Sequence, residues 1–161
     1  MDNCRNYKNF SSVGKYFTFG SSTTQVKDVS FTWYDSITKT KKVSPTPLLE
    51  AYSSLYNYAV CCSRIACFMD LGGDGIKQAS KLFQQAAWTF EQLLTMVSQL
   101  PAGEATVDFS KEALIMNSNL CLAQAQYLFF RKAQDSGMKP AVLAKICAQV
   151  SLYFQKAFEN N

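Results

Sequence analysis

The chain has 161 residues and a net charge of +4, with 48% hydrophobic and 17% charged positions. Twelve Phe, eight Tyr and two Trp exclude a solvating disordered chain, and the length suits one domain with a real core. Histidine is absent, which excludes Ser-His-Asp triads, Cys-His pairs and His-bearing zinc sites. No run approaches the roughly 18 apolar residues of a membrane span. Neither terminus carries an apolar signal core or a lipidation box, so a soluble chain is expected.

Residues 1–45 form a first segment rich in Ser, Thr, Lys and aromatics, with a net charge of +4. Two stretches in it predict strands, Tyr16–Phe19 (YFTF) and Val29–Tyr34 (VSFTWY), both dense in β-branched and aromatic types. Trp33 and Tyr34, with Trp88 further on, are expected to anchor packing. Asp35 reads as a turn or capping residue. Lys39, Lys41 and Lys42 read as a solvated loop, with contact to acidic lipid or a partner as the alternative.

Residues 46–161 carry four helical patterns. Pro47 can start the first, whose apolar residues step by three and four to about Asp70 before Gly72-Gly73 stops it. Asp74 reads as the N-cap of a second helix over 75–99, broken by Pro101 and Gly103. Ser110 can cap a third, running to about Asp135 and ending at Gly137; Pro140 starts a fourth, to about Glu159. Long helices joined by short turns pack as antiparallel neighbours. The expected fold is therefore mainly α, a TPR-like or solenoid layer behind a short β-containing segment, one domain overall.

The six cysteines are Cys4, Cys61, Cys62, Cys67, Cys121 and Cys147. Cys61, Cys62 and Cys67 lie in one apolar helical pattern, so they are expected to be reduced, buried thiols. No carboxylate pair suggests acid–base work, and neither a catalytic nor a metal or cofactor site is expected.

The third and fourth helices carry the candidate binding residues. At about 100° per residue, Met116, Leu120, Ala123 and Tyr127 share one stripe of the third helix. Phe129 points roughly the opposite way, with Ser118, Leu122, Ala125 and Lys132 near it. On the fourth, Leu143, Cys147, Val150, Phe154 and Phe158 are expected as the deep stripe. Val142, Ile146, Gln149 and Tyr153 form a shallower one, flanked by Lys145 and Lys156. Ordinary packing and a groove for an amphipathic partner helix both explain the second stripes. Residues 46–128 have a net charge of −3 and residues 129–156 a net +4, favouring an acidic partner at the basic end over nucleic acid.

Several runs resemble one family: FTWYDS (Phe31–Ser36), GIKQASKLFQQAAWTFEQL (Gly75–Leu93), VDFS (Val107–Ser110), LAQAQYLFFRKA (Leu122–Ala133) and MKPAVLAKICAQVSLYFQKAF (Met138–Phe158). The pattern is similar to the BRO domain family, of the ALIX type, from about Tyr16 to Phe158. The resemblance implies a curved helical scaffold of endosomal sorting, more than twice this long, of which this chain would be the central part. It implies a non-enzymatic, cytoplasmic protein recruited to endosomes. Its partner would be the C-terminal amphipathic helix of an ESCRT-III subunit of the Snf/CHMP type. The family's binding patch falls on Phe129, Val142 and Ile146, with Lys132 at its edge and Lys145 beside it. Peripheral membrane association and homo-oligomers stay open. The alternatives are an oligomerising helical fragment, or a pH-signalling scaffold with another peptide ligand.

Overall fold

The structure is a computed structural model and describes residues 30–159. The predicted strand at Tyr16–Phe19 lies outside them. The chain opens with β1 (Phe31–Tyr34) and β2 (Lys41–Ser44), paired antiparallel with Trp33 opposite Lys42 and Tyr34 opposite Lys41. Four helices follow: α1 (Pro47–Phe68), α2 (Gly75–Met96), α3 (Lys111–Asp135) and α4 (Pro140–Phe158). Short 3-10 turns at Val97–Gln99 and Val107–Phe109 join α2 to α3.

The helix limits follow local chemistry. Pro47 and Pro140 occupy first-turn positions, where the missing N–H has no intrahelical role. The Ser110 hydroxyl caps α3 by accepting from the Ala113 N–H at 3.1 Å. Asp74 precedes α2, but its carboxylate makes no cap bond; its backbone carbonyl receives the Lys77 and Gln78 N–H groups instead. Gly75 is required by close approach, since a Cβ there would lie 1.8 Å from the Asp70 carbonyl oxygen. Gly137, at φ +66°, ends α3 with bonds from its own N–H to Gln134 and from Met138 to Ala133. That tight stop turns α4 straight back along α3.

Each helix packs on the next, α1 on α2, α2 on α3 and α3 on α4. The main core joins Leu49, Tyr52 and Tyr56 of α1 to Phe90 and Leu93 of α2, Phe109, and Leu114 of α3. Tyr56 is its aromatic hub, edge-on to Trp33, Phe90 and Phe109 at 5.5, 5.5 and 5.7 Å. A second cluster gathers Ala66, Ile76, Ala79, Phe83, Ala125 and Leu128. Among the described residues, no helix is long and apolar enough to cross a membrane.

Five expectations need correction. Lys41 and Lys42 belong to a strand rather than a loop. Trp33 is buried, but Tyr34 and Trp88 are exposed. Cys62 is buried, whereas Cys61 and Cys67 are exposed; all three are free thiols. The buried line of α3 is Leu114, Ser118, Cys121, Ala125 and Leu128, which takes in Ser118 and Ala125 from the side expected to face away; of the expected main stripe Ala123 is buried, but Leu120 and Tyr127 are exposed. On α4, Cys147 and Phe158 are exposed, while Ile146 and Ala157 are its buried residues. The physical reason is common to both helices. α3 is gripped by α2 on one side and α4 on the other, and small side chains at these seams let the backbones approach. Bulk alone therefore misplaces the stripe.

Candidate functional site: an apolar face on α3 and α4

The Gly137 turn sets the site's register. Phe129 and Ile146 each lie six residues from their helix end at that turn, roughly 9 Å along each axis, so they sit level. Val142 is one helical turn nearer the loop. Phe129 is 50% exposed and Val142 43%. Lys132 and Lys145 are exposed on the same two helices, with Arg131 and Lys139 close in sequence. Apolar surface with a cationic surround suits an amphipathic ligand with acidic neighbours.

Ile146 differs from the other four. It is 9% exposed and is buried in the α3–α4 seam. The sequence placed it with Val142 because i and i+4 share a face, but packing against α3 separates the two. Met138, exposed in the turn, was not singled out from the sequence. Its signal was present: an apolar residue directly after the helix-stopping Gly137.

The sequence also gave no hint that two carboxylates meet at the other end of the molecule. Asp108 is fully buried and accepts from Trp33 Nε1 at 3.1 Å, Ser36 N at 2.6 Å and Tyr56 OH at 3.2 Å, and from the Ser36 hydroxyl. Asp35, equally buried, accepts from Ile37 N, Thr38 N and the Thr38 hydroxyl, and from the Asp108 N–H at 2.8 Å. Burial pushes the Asp35 carboxyl up, but hydrogen bonds from Thr38 and Asp108 pull harder and hold it at about 2. Burial, joined by the Asp108 charge, pushes the Tyr56 phenol up, so it remains a donor. Both carboxylates are occupied by donors from the chain itself, and the arrangement is a clasp fastening the hairpin to the helices. It offers no free oxygen for proton transfer. Asp35 is the turn residue that the sequence suggests; Asp108 sits inside VDFS, 75 and 72 positions from Trp33 and Ser36 and 52 from Tyr56.

A family model for the BRO1-like domain matches residues 4–161. The chain is 34% identical over 139 residues to programmed cell death 6-interacting protein of Homo sapiens, covering 81% of this chain and 16% of that protein. It is 34% identical over 127 residues to ALG-2 interacting protein X of Dictyostelium discoideum, covering 78% of this chain and 16% of the relative. Vacuolar-sorting protein BRO1 of Arabidopsis thaliana is 32% identical over 155 residues, covering 94% of this chain and 18% of the relative. This chain thus spans under a fifth of the length of these relatives. The solved ALIX BRO1–CHMP4C complex contains a similar fold, with a TM-score of 0.80 and 32% identity over 97% of this chain and 45% of that one. From the sequence match along nearly its whole length and this shared helical architecture, the chain belongs to the BRO1-like domain family.

Proposed function

We propose that this chain is a non-enzymatic scaffold that captures the C-terminal amphipathic helix of an ESCRT-III subunit of the Snf/CHMP type. The observation that carries the reading is the half-exposure of Phe129 and Val142 on two packed helices that also carry the exposed Lys132 and Lys145. In this reading Phe129 and Val142 contact the ligand's apolar face, and Ile146 holds Val142 in place from the seam below. Lys132 and Lys145 face acidic residues at the ligand's edge. The ALIX BRO1–CHMP4C complex supports it, because a similar fold there is bound to a CHMP-type protein. The vacuolar-sorting relative supports a cytoplasmic protein recruited to endosomes.

The test is a titration of a labelled CHMP4C C-terminal helix with the wild-type chain and with Phe129→Asp. A buried anchor aromatic is worth about 2 kcal/mol or more, roughly thirtyfold in affinity. Loss of that size with an unchanged melting temperature supports the groove. Retained affinity removes it. An oligomerising fragment is the second reading, favoured by the exposed Ile65 and Phe68 of α1 and Phe158 of α4. Light scattering on the free chain separates the two: a monomer that binds the helix fits the scaffold, and a ligand-free stable dimer fits the alternative.

A further inference from the structure

Two hydrogen bonds fix how α2 lies against α3. The Ser80 hydroxyl donates to the Ala125 carbonyl at 3.4 Å, and the Ser118 hydroxyl to the Glu91 carboxylate at 3.2 Å. The buried Phe83 and Phe90 of α2, with Leu114 and Leu128 of α3, lie on one side of that seam. At about 100° per residue, the other side carries Trp88 of α2 and Leu122 and Phe129 of α3. The groove around Phe129 therefore has two walls, α4 and α2.

The levels along this groove follow from the same contacts. Leu122 precedes Phe129 by seven residues, about 10 Å along α3. Tyr153 matches it on α4, because both lie thirteen residues from their helix ends at the Gly137 turn. Val142 and Tyr153 are eleven residues apart, three helical turns, and so share one line of α4. Trp88 stands between Ser80 and Glu91, at the level of the α3 turn from Ser118 to Leu122. It is 38% exposed, and Leu122 and Tyr153 are half-buried. The exposed Lys77 of α2 falls at the Phe129 end, and Glu91 at the Trp88 end.

We propose that Trp88, Leu122 and Tyr153 form a second anchoring site of this groove, where Trp88 selects ligand helices with two apolar side chains one heptad apart. The inference rests on the helix-capture reading and names what that helix must carry. Continuity with the Phe129–Val142 face argues for the same occupant. A helix laid along α3 with one apolar residue on Phe129 turns the residue seven positions away to the same side, over Leu122. Its acidic residues belong at the Phe129 end, where Lys77 joins Lys132 and Lys145. Beside Glu91, the second anchor is uncharged. Tryptophan is among the side chains that most often act as energetic anchors of an interface.

The test titrates the labelled CHMP4C C-terminal helix into the full chain. Trp88→Ala should weaken binding about tenfold and Trp88→Phe should restore most of it. Leu120→Ala, on the opposite face of α3, should leave binding unchanged. Alanine replacements along the ligand should show one position whose effect disappears in Trp88→Ala. A second position, seven residues away, should lose its effect in Phe129→Ala. The wild-type chain carries its own probe: its two tryptophans are the buried Trp33 and the exposed Trp88, so acrylamide quenching reads Trp88. Saturating helix should shield it. Wild-type affinity in Trp88→Ala, or quenching unaltered by a helix that still depends on Phe129, overturns the second anchor and leaves the capture reading standing. A Trp88 shielded before any helix is added overturns it too. Binding indifferent to Phe129→Asp removes both.

Discussion

The two ends of the molecule handle their difficult groups in opposite ways. At the hairpin end, two carboxylates are buried and each of their oxygens is occupied by N–H or O–H donors from the same chain. At the α3–α4 end, a phenylalanine and a valine are left half in water beside lysines. The first arrangement turns both carboxylates to internal cohesion. The second leaves apolar surface without an internal partner. Internal hydrogen bonding is concentrated where the chain must hold a two-stranded hairpin, and half-exposed apolar side chains lie where the last described helix has a single packed seam.

The largest effect should come from breaking the clasp. Asp108→Ala leaves the Trp33 indole, the Ser36 N–H and the Tyr56 hydroxyl without their acceptor. Each orphaned buried donor costs about 1–3 kcal/mol, so a loss on the order of 3–5 kcal/mol is expected. Thermal unfolding followed by circular dichroism checks it. A fall of only a degree or two would mean that the hairpin is held by aromatic packing alone.

The next effect sharpens the contrast on one helix. Leu128→Ala empties a buried site and should cost about 2–5 kcal/mol. Phe129→Ala, one residue on, should change stability by less than about 1 kcal/mol. Tyr127, which is 48% exposed, should tolerate Tyr127→Asp with the fold intact. Chemical denaturation curves of the three variants give the order directly, and equal losses at positions 128 and 129 would erase the distinction.

Acid should weaken the hairpin end before the other. The Asp35 carboxyl lies at about 2 when folded, against an ordinary value of 3.8. A depressed carboxylate contributes stability above its unfolded value and loses it as pH falls through the folded one. Nearly two units correspond to about 2 kcal/mol, lost between about pH 4 and pH 2. Melts of the wild type and Asp35→Asn across that window should converge. Parallel curves would mean that Asp35 titrates normally.

Thiol labelling gives a smaller, all-or-none contrast. Cys61, Cys67 and Cys147 are exposed and should react in the native state. Cys62 and Cys121 should wait for unfolding, since burial pushes the Cys121 thiol up to about 12 and raises Cys62 as well. Intact-mass kinetics read this directly, and simultaneous labelling of Cys62 and Cys61 would contradict it.

Legibility in the sequence follows the range of the forces involved. The helices were readable because Pro47, Gly72-Gly73, Ser110, Gly137 and Pro140 act within a few residues of where they stand. β2 was not readable, because Lys41, Lys42 and Val43 lack the strand signature and only Ser44 is buried. Asp108 was invisible for another reason: its donors come from residues 33, 36 and 56, and no local pattern encodes them. Phe129 stood out in the sequence as a large aromatic opposite the expected main stripe, yet that stripe is not the buried line, and Ser118 and Ala125 on the Phe129 side are buried. The same wheel misjudged Tyr127 and Phe158, since it assumed that the bulkiest line faces inward. Here alanine, serine and cysteine fill the seams.

The most direct test of the central claim is fluorescence anisotropy of a labelled CHMP4C C-terminal helix titrated with wild-type and Phe129→Asp chains, with a melt on each sample. Affinity should fall at least about thirtyfold, because an anchor is lost and a carboxylate is brought against an acidic ligand. The melting temperature should stay within about 2 °C of wild type, since the side chain is half in water. Unchanged affinity, or a steep drop in melting temperature accompanying the loss, would place Phe129 outside the groove and contradict the account.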